Sequence, residues 1–261
     1  MNLWVAGTPI NDYHHKQVGI IAKVNPDVIA LQETSRIAGQ RLAKTFGYGL
    51  SWVSDTAVLS RYPLTPLNGT SWASAALVSF DGDANQGIFW SAYLGYDPYG
   101  PYDFCRSHMS QSQVFQREEQ SGRTPQIRDI VNAMKPQISN AEAIPVFLAG
   151  DFNASSHLDW TDAARNLHCG VGYTPWPTSK IPVDAGLIDS FRHLHPSPVA
   201  YPANTWSPIH PDAPQDRLDF IYYAGGVTPV VSDPYLVGNN NPGSPNNEWP
   251  STTLRLSVTL H

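Results

Sequence analysis

Short apolar segments rich in β-branched and aromatic residues recur along the chain and predict β-strands. Segments of this kind, bounded by turn residues, are typical of strands that are buried on at least one face. They occupy positions 27–33, 56–60, 73–80, 88–94, 145–151, 217–223 and 254–260. The chain therefore contains several strands distributed from near its beginning to its end.

Apolar residues spaced three to four positions apart predict helices between these strands. The spacing is clear at 12–24 and 35–46, and a longer, more polar helix is predicted over 110–134. Helix–strand alternation at the start gives way to a strand-rich middle, which favours packed sheets over a parallel doubly wound sheet. We therefore predict an α+β fold, a four-layer α/β sandwich in which two packed mixed β-sheets are flanked by helices.

Proline and glycine are spread through the chain, and this distribution indicates domain organisation. The 23 prolines and 19 glycines are not gathered into one linker, which favours short elements joined by ordered turns. We predict a single domain over 1–261. Two long segments rich in proline and asparagine, 199–214 and 238–250, are predicted loops of the kind that often border a site.

Composition and charge narrow the function. With 41% hydrophobic residues in 261, the chain can bury a full core and is not intrinsically disordered. Sixteen Lys and Arg against 22 Asp and Glu give a net charge of -6, which provides no general attraction for a long polyanion. The basic residues form no stripe, and four arginines are interpreted as a solvated helix face: Arg106, Arg117, Arg123 and Arg128. We expect a small-molecule or lipid phosphoester as partner rather than long nucleic acid.

The sequence contains no recognisable targeting signal. It lacks an apolar run of about 18 residues and so has no predicted transmembrane segment, and its beginning lacks the pattern of a secretory signal. A soluble protein is expected, with compartment and oligomeric state open.

Cys105 and Cys169 lie too far apart for thiolate metal chemistry and permit one disulfide without requiring it. Asn68 and Asn153 begin N-glycosylation tripeptides.

The sharpest chemical signal is an apolar strand that ends in Gly-Asp-Phe-Asn. Asp151 and Asn153 are two positions apart, so their side chains project from one face of the strand end. A carboxylate and an amide then point to the same place. An Asp–Asn turn that closes a buried strand explains the same residues without any chemistry.

Two further acids favour a functional interpretation. Glu33 ends the predicted strand 27–33, and Asp219 lies in the strand 217–223. Magnesium prefers one or two carboxylates, waters and phosphate oxygens, so a sparse set of acids from separate strands suits it. Taken alone, Asp219 would most often be a solvated or capping charge.

Six short motifs, in order and at suitable spacings, resemble those of the endonuclease/exonuclease/phosphatase superfamily, which has the deoxyribonuclease-like fold. The motifs are Asn2-Leu-Trp4, Leu31-Gln-Glu33, Leu59-Ser-Arg-Tyr-Pro63, Ser91-Ala-Tyr-Leu94, Gly150-Asp-Phe-Asn153 and Arg217-Leu-Asp-Phe-Ile221. The resemblance spans nearly the whole chain. The run from Tyr96 to Tyr102 is similar to an uncharacterised subgroup of the superfamily.

The resemblance implies a role for each matching residue. Glu33, assisted by Asn2, would hold the divalent metal, Mg or Mn. Asp151 would orient or deprotonate the attacking water, and Asn153 would hydrogen-bond that water or the phosphoryl oxygens. Tyr93 stands where relatives place a His or Tyr against the phosphate. Together these groups would stabilise the charge that develops on the phosphoryl oxygens and the leaving oxygen.

The resemblance fails at the end of the chain. Asp219 matches the acid that holds a catalytic histidine, and the superfamily supplies that histidine in a terminal Ser-Asp-His motif. Thr252 and Thr253 occupy the Asp and His positions here. Threonine neither carries the imidazolium charge nor titrates near neutral pH. Of the other histidines, His210 is the least unlikely substitute.

These motifs predict a Mg-dependent phosphoester hydrolase acting on a phosphodiester or phosphomonoester, with activity impaired by Thr252 and Thr253. One alternative is a noncatalytic descendant, a pseudoenzyme that keeps the pocket to bind a ligand. Another is an enzyme of different chemistry that reuses the pocket. A histidine beside Asp219 would favour the first hypothesis, and a pocket without converging carboxylates would favour the last.

Overall fold

The computed structural model of the protein describes residues 1–207, 210, 212–235 and 255–260. The strands in these residues are β1 (Val28–Gln32), β2 (Gly49–Val53), β3 (Thr56–Ser60), β4 (Leu64–Thr70), β5 (Ala73–Asp81), β6 (Asn85–Tyr93), β7 (Val146–Asp151), β8 (Ile188–Asp189), β9 (Asp219–Ala224), β10 (Pro229–Tyr235) and β11 (Arg255–Leu260). The helices are α1 (Tyr13–Val24), α2 (Arg36–Phe46), α3 (Gly100–Cys105), α4 (Gln111–Gln120), α5 (Arg123–Ser139), α6 (Pro177–Asp184) and α7 (Ser190–Leu194).

The strands form a large mixed sheet and a smaller antiparallel one. The large sheet has the order β4-β5-β6-β7-β9-β8, and β6 and β7 are parallel while the other neighbours are antiparallel. The small sheet has the order β1-β3-β2. β10 and β11 form a separate antiparallel pair. The predicted strand segments are therefore all present, and β2, β4, β8 and β10 are additional.

Buried polar side chains join the two larger sheets face to face. Gln32 Nε2 donates to Ser91 Oγ at 3.0 Å, and Ser51 Oγ donates to the carbonyl of Ala75 at 2.8 Å. Each of these pairs links the small sheet to the large one. Because buried polar atoms are costly unless they are hydrogen-bonded, these contacts fix how the sheets align.

Apolar helix faces cover the outer faces of both sheets. Ile127, Ile130 and Met134 of α5 pack on Trp90 and Leu148 of the large sheet. The small sheet is covered in the same way by apolar residues of α1 and α2, in a cluster of Leu3, Ile21, Leu42, Leu31 and Leu59. The order helix, sheet, sheet, helix confirms the predicted α+β sandwich.

The segment predicted as one polar helix is two helices. Position 110–134 divides into α4 and α5, because Gly122 between them takes a left-handed φ of 85° that ends the helical path. The predicted solvated face is also wrong for Arg123, whose guanidinium is fully buried against Glu118. A buried arginine needs a carboxylate partner, and Glu118 supplies it.

Of the two predicted long loops, only the first lies largely within the described residues. The predicted loop 199–214 is free of regular strands and helices where it is described, apart from a single bridge between Trp206 and Asp216. The predicted loop 238–250 lies outside the described residues. No helix in the described part of the chain is long and apolar enough to cross a membrane.

Candidate active site

Asn2 joins two carboxylates that come from different sheets. Its main chain bridges to Gln32 at the end of β1, which places its side chain beside Glu33. Asn2 Nδ2 donates to Glu33 Oε1 at 2.8 Å and to Asp151 Oδ2 at 2.9 Å. Asn2 Oδ1 accepts the N–H of Trp4 at 2.7 Å, which fixes the orientation of the amide.

Glu33 is held by donors on both of its carboxylate oxygens. Besides Asn2, Tyr93 donates its hydroxyl to Oε1 at 3.0 Å, and the N–H of Val5 donates to Oε2 at 2.9 Å. Glu33 and Val5 both have left-handed backbone angles, with φ of 48° and 51°. A β-branched residue such as Val5 rarely adopts this conformation, and such strain is concentrated at functional sites.

Asp151 lies at the end of β7, in the middle of the large sheet, and is almost fully buried. Its Oδ1 accepts the N–H of Asn153 at 2.9 Å. Burial raises the pKa of Asp151 to about 6, against the hydrogen bonds from Asn2 and Asn153 that favour its charged form, and the charge of Glu33 adds to the increase. A carboxyl group with such a pKa exchanges protons close to neutral pH.

Asp219 stands directly opposite Asp151 across β7 and β9. Residues opposite each other in an antiparallel pair have side chains on the same face, so the two carboxyl groups are neighbours. Burial, and then the charge of Asp151, raise the pKa of Asp219 well above its usual range. Asp219 Oδ2 is buried and has no hydrogen-bond partner among the described residues, so it can accept a further donor or ligand.

None of the histidines in the described residues pairs with Asp219. The ring of His210 lies beside Trp206, with centroids 6.1 Å apart, and no hydrogen bond or ion pair joins it to Asp219 within the described residues. Thr252 and Thr253, the positions of the missing terminal motif, lie outside the described residues. The acid that resembles a histidine-holding group is therefore present without its histidine in the described part of the chain.

The acids of this site are only partly compensated: the charge of the N-terminal ammonium opposes the rise in the pKa of Asp151 and of Asp219, which burial causes. In the described ranges, no Lys, Arg or His side chain forms an ion pair with Glu33, Asp151 or Asp219. Nor do three or more His, Cys, Asp or Glu side chains approach closely enough there to hold a metal on their own. The arrangement suits an ion that takes few protein ligands and completes its shell with water and substrate oxygens.

Comparison with known proteins agrees with this geometry. The model of the Endonuclease/Exonuclease/phosphatase family matches residues 14–251. The chain belongs to this family. Uncharacterized protein F14F9.5 of Caenorhabditis elegans is 35% identical over 248 residues, which cover 87% of this chain and 78% of that protein.

Solved structures from the family share the fold. TDP2 of D. rerio complexed with a single strand DNA product superposes with a TM-score of 0.61 at 19% identity, covering 100% of this chain and 97% of that one. The human Nocturnin catalytic domain with bound sulfate anion superposes with a TM-score of 0.56 at 15% identity, covering 95% and 86%. The resemblance seen in the sequence motifs is thereby confirmed at the level of family and fold.

Tyr93 lies next to Asp151 across the parallel strands β6 and β7. Its hydroxyl donates to Glu33, and the side chain is half-buried. Burial and the neighbouring charge of Glu33 raise the pKa of Tyr93 far above its usual range. The phenol therefore keeps its proton near neutral pH and acts as a hydrogen-bond donor.

Arg123 positions the loop of Asn153, and sequence reasoning missed it. One guanidinium nitrogen of Arg123 donates to the carbonyl of Asn153 at 2.9 Å and to that of Gly95 at 3.3 Å. Asn153 Nδ2 donates to the carbonyl of Leu94 at 2.9 Å. The loops after β6 and β7 are thus tied together. Nothing in a polar helix pattern marks Arg123, because its partners are distant in sequence.

A second set of buried acids lies beside the site but is fully paired. Arg217 donates to Asp159 Oδ2 at 3.0 Å and to Asp189 Oδ2 at 2.7 Å. Arg192 donates to the same Asp159. Arg217 lies two residues before Asp219, the first residue of β9. This network holds the start of β9 in place and gives Asp219 a fixed position.

Proposed function

We propose that this member of the family is a phosphoester hydrolase that depends on Mg or Mn. The observation that carries the proposal is the arrangement of Glu33, Asp151 and Asp219, which have no Arg, Lys or His partner among the described residues and are framed by the donors Asn2, Asn153 and Tyr93. Buried acids that serve only stability are normally paired. Perturbed and unpaired acids in one place favour a catalytic role.

The donor set fits a divalent cation. Asp219 Oδ2 lacks a partner, and the surplus negative charge favours a cation at this point. Glu33 would hold the ion with Asn2, whose Oδ1 keeps a second lone pair beside the Trp4 N–H. Such an ion supplies charge stabilisation for the phosphoryl oxygens and the leaving oxygen when it is bound.

Asp151 is suited to activate the attacking water. Its pKa of about 6 lies close to working pH, which is where a general base is most effective. The N–H groups of Asn2 and Asn153 fix the orientation of its carboxylate. Asp151 would accept the proton that the water loses when its oxygen attacks phosphorus.

Asn153 and Tyr93 would position the phosphoryl group. One N–H of the Asn153 amide donates to the carbonyl of Leu94, and the side chain also hydrogen-bonds Tyr93, so the two residues would act on the phosphoryl group as a connected pair. Tyr93 keeps its proton and steadies Glu33. Asp219 would orient a partner that Thr252 and Thr253 do not supply, so weakened turnover remains a prediction.

A small or lipid-borne phosphoester is the substrate that the charge favours. The net charge of -6 and the acids of the site oppose the approach of a long polyanion. A substrate with one phosphoester, either a diester or a monoester, meets much less repulsion. The single strand DNA product belongs to the TDP2 structure and makes a short DNA strand end the second substrate to test.

The test is chelator-sensitive hydrolysis of a panel of phosphomonoesters, phosphodiesters and short single strands. We expect turnover by the natural chain, its loss in Glu33→Gln and Asp151→Asn, and no change in the control Asp129→Asn, which removes an exposed acid on α5. An inert natural chain whose Thr252→Asp, Thr253→His double variant turns over would instead identify a pseudoenzyme. If the natural chain and the double variant are both folded but inactive, the proposal is contradicted.

A further inference from the structure

Both cysteines of the chain are joined in one disulfide. Cys105, the last residue of α3, is bonded to Cys169, whose Cα lies 5.5 Å away although it is 64 positions later in the sequence. Cys105 packs against a cluster of Phe104, Trp160 and Trp176. Cys105 is half-buried and Cys169 is exposed in a turn, so the bond ties a surface turn to the end of α3. Structural disulfides persist in oxidising compartments and are rare in a reducing cytosol.

The sequence contains two N-glycosylation tripeptides, and the fold treats them in opposite ways. Asn68-Gly69-Thr70 lies in β4, an edge strand of the large sheet. Asn153-Ala154-Ser155 lies in the loop of the candidate active site. The two tripeptides give a direct comparison within one chain, because both have the sequence that the modification requires.

The Asn68 side chain faces solvent at an irregularity in the strand. The pairing of β4 with β5 shifts register between Leu67 and Thr70, so Asn68 lies where the ladder is interrupted. A Cβ on Gly69 would lie 2.1 Å from the carbonyl oxygen of Ala73, so this shape requires glycine. Asn68 is exposed and forms no hydrogen bond through its amide within the described residues. A glycan on it would disturb no contact, and would cover a sheet edge.

The second tripeptide is closed to modification in the folded chain. Asn153 Nδ2, the atom that a glycan would occupy, donates to the carbonyl of Leu94. Ser155 is fully buried and donates to Asp216 at 2.9 Å. A glycan on Asn153 would break these contacts and separate the loops that Arg123 joins.

We propose that the chain matures in an oxidising secretory compartment and carries an N-linked glycan on Asn68 and none on Asn153. In the transfer, Asn68 Nδ2 loses one proton and bonds to the anomeric carbon of an oligosaccharide. The bond from that carbon to the diphosphate of a lipid-linked donor breaks, and the diphosphate leaves with the electron pair. The thiols of Cys105 and Cys169 lose two protons and two electrons to a disulfide-bearing oxidase of the same compartment.

The experiment uses the complete chain, tagged in its own gene and purified from its own cells without reductant. Treatment with a peptide N-glycosidase converts a glycosylated Asn68 to Asp. Peptide mass spectrometry then detects this change and identifies the modified site. Alkylation with and without prior reduction reports whether Cys105 and Cys169 are blocked. Asn68→Gln and Thr70→Ala are expected to remove the glycan, and the conservative Thr70→Ser keeps it.

Occupied Asn68, unmodified Asn153 and thiols that react only after reduction would support the proposal. Unoccupied Asn68 in the natural chain would overturn it, and so would a glycan on Asn153. Freely reactive thiols in the folded chain would overturn the inference that the chain matures in an oxidising compartment. All three readings come from the natural chain, so the conclusion holds even if a variant fails to fold.

Discussion

Two sets of buried acids lie side by side at the start of β9, and they have opposite surroundings. Asp159 and Asp189 are neutralised by Arg192 and Arg217. Asp151 and Asp219, equally buried, have no such partner among the described residues. We call the first the paired set and the second, with Glu33, the unpaired set. Since burying a charge without a partner is costly, the unpaired set is retained for something other than stability.

The pKa of Asp159 and the pKa values of Asp151 and Asp219 move in opposite directions. Burial alone would raise the pKa of Asp159, but the charges of Arg217 and Arg192 outweigh it, and the pKa lies below its usual value. The pKa of Asp151 and that of Asp219 are raised by burial, and the proximity of other acids adds to the increase. The difference separates acids that hold the fold from acids that can exchange protons.

Removing the candidate base should have the largest effect. Asp151→Asn keeps the shape of the side chain but cannot accept a proton from water, so we expect turnover to fall by roughly 10²–10⁴-fold. Steady-state hydrolysis of the best substrate in the panel measures this. The exposed control Asp129→Asn should retain full activity. An unchanged rate in Asp151→Asn would remove the distinction between the two sets.

Breaking the paired set should affect stability. Arg217→Met leaves Asp159 and Asp189 short of hydrogen bonds and charge, so we expect the free energy of unfolding to fall by about 3–5 kcal/mol. Urea denaturation measures the loss. Lys180→Met, which breaks an exposed pair with Asp184, is the control and should leave the midpoint unchanged. Equal effects of the two variants would show that the paired set does not hold the fold.

The raised pKa values of Asp151 and Asp219 should make stability depend on pH in an unusual way. A carboxyl group whose pKa is raised on folding binds protons in the folded state before the unfolded state does. Stability therefore increases as pH falls from about 7 to 5, by on the order of 1–3 kcal/mol. Below about pH 4 it decreases, because Asp159, with its lowered pKa, is protonated more readily once unfolded.

Asp219→Asn isolates this contribution. The variant removes a buried charge whose Oδ2 has no partner, so we expect higher stability at pH 7 and a smaller increase towards pH 5. Urea midpoints at a series of pH values measure both. A variant less stable than the natural chain at pH 7 would show that Asp219 has a structural partner.

The sequence predicted those elements whose pattern is complete within a short segment. The strand at 56–60 was predicted with its observed ends because every residue of β3 is buried. β4 was missed because it is a half-exposed edge strand containing Pro66, and its pairing depends on β5. The apolar spacing at 110–134 continues across Gly122, so the sequence did not reveal that the helix is interrupted there.

The residues of the candidate site were predicted from the sequence, but their contacts were not. Acids at strand ends and the family motifs indicated Glu33, Asp151 and Asp219. Their proximity, and the lack of an arginine paired with them among the described residues, depend on strand pairing that spacing does not specify. Arg123 and Arg217 are buried and paired with carboxylates, unlike a solvated arginine, and only the fold shows this.

Calorimetric titration of Mn²⁺ into the folded chain tests most directly the claim that the unpaired set is a cation site. We predict about one bound ion per chain, an affinity reduced roughly tenfold or more in Glu33→Gln, and no change in Glu119→Gln, which removes an exposed acid of α4. Absence of binding to the folded natural chain, or unchanged binding in Glu33→Gln, would contradict the account.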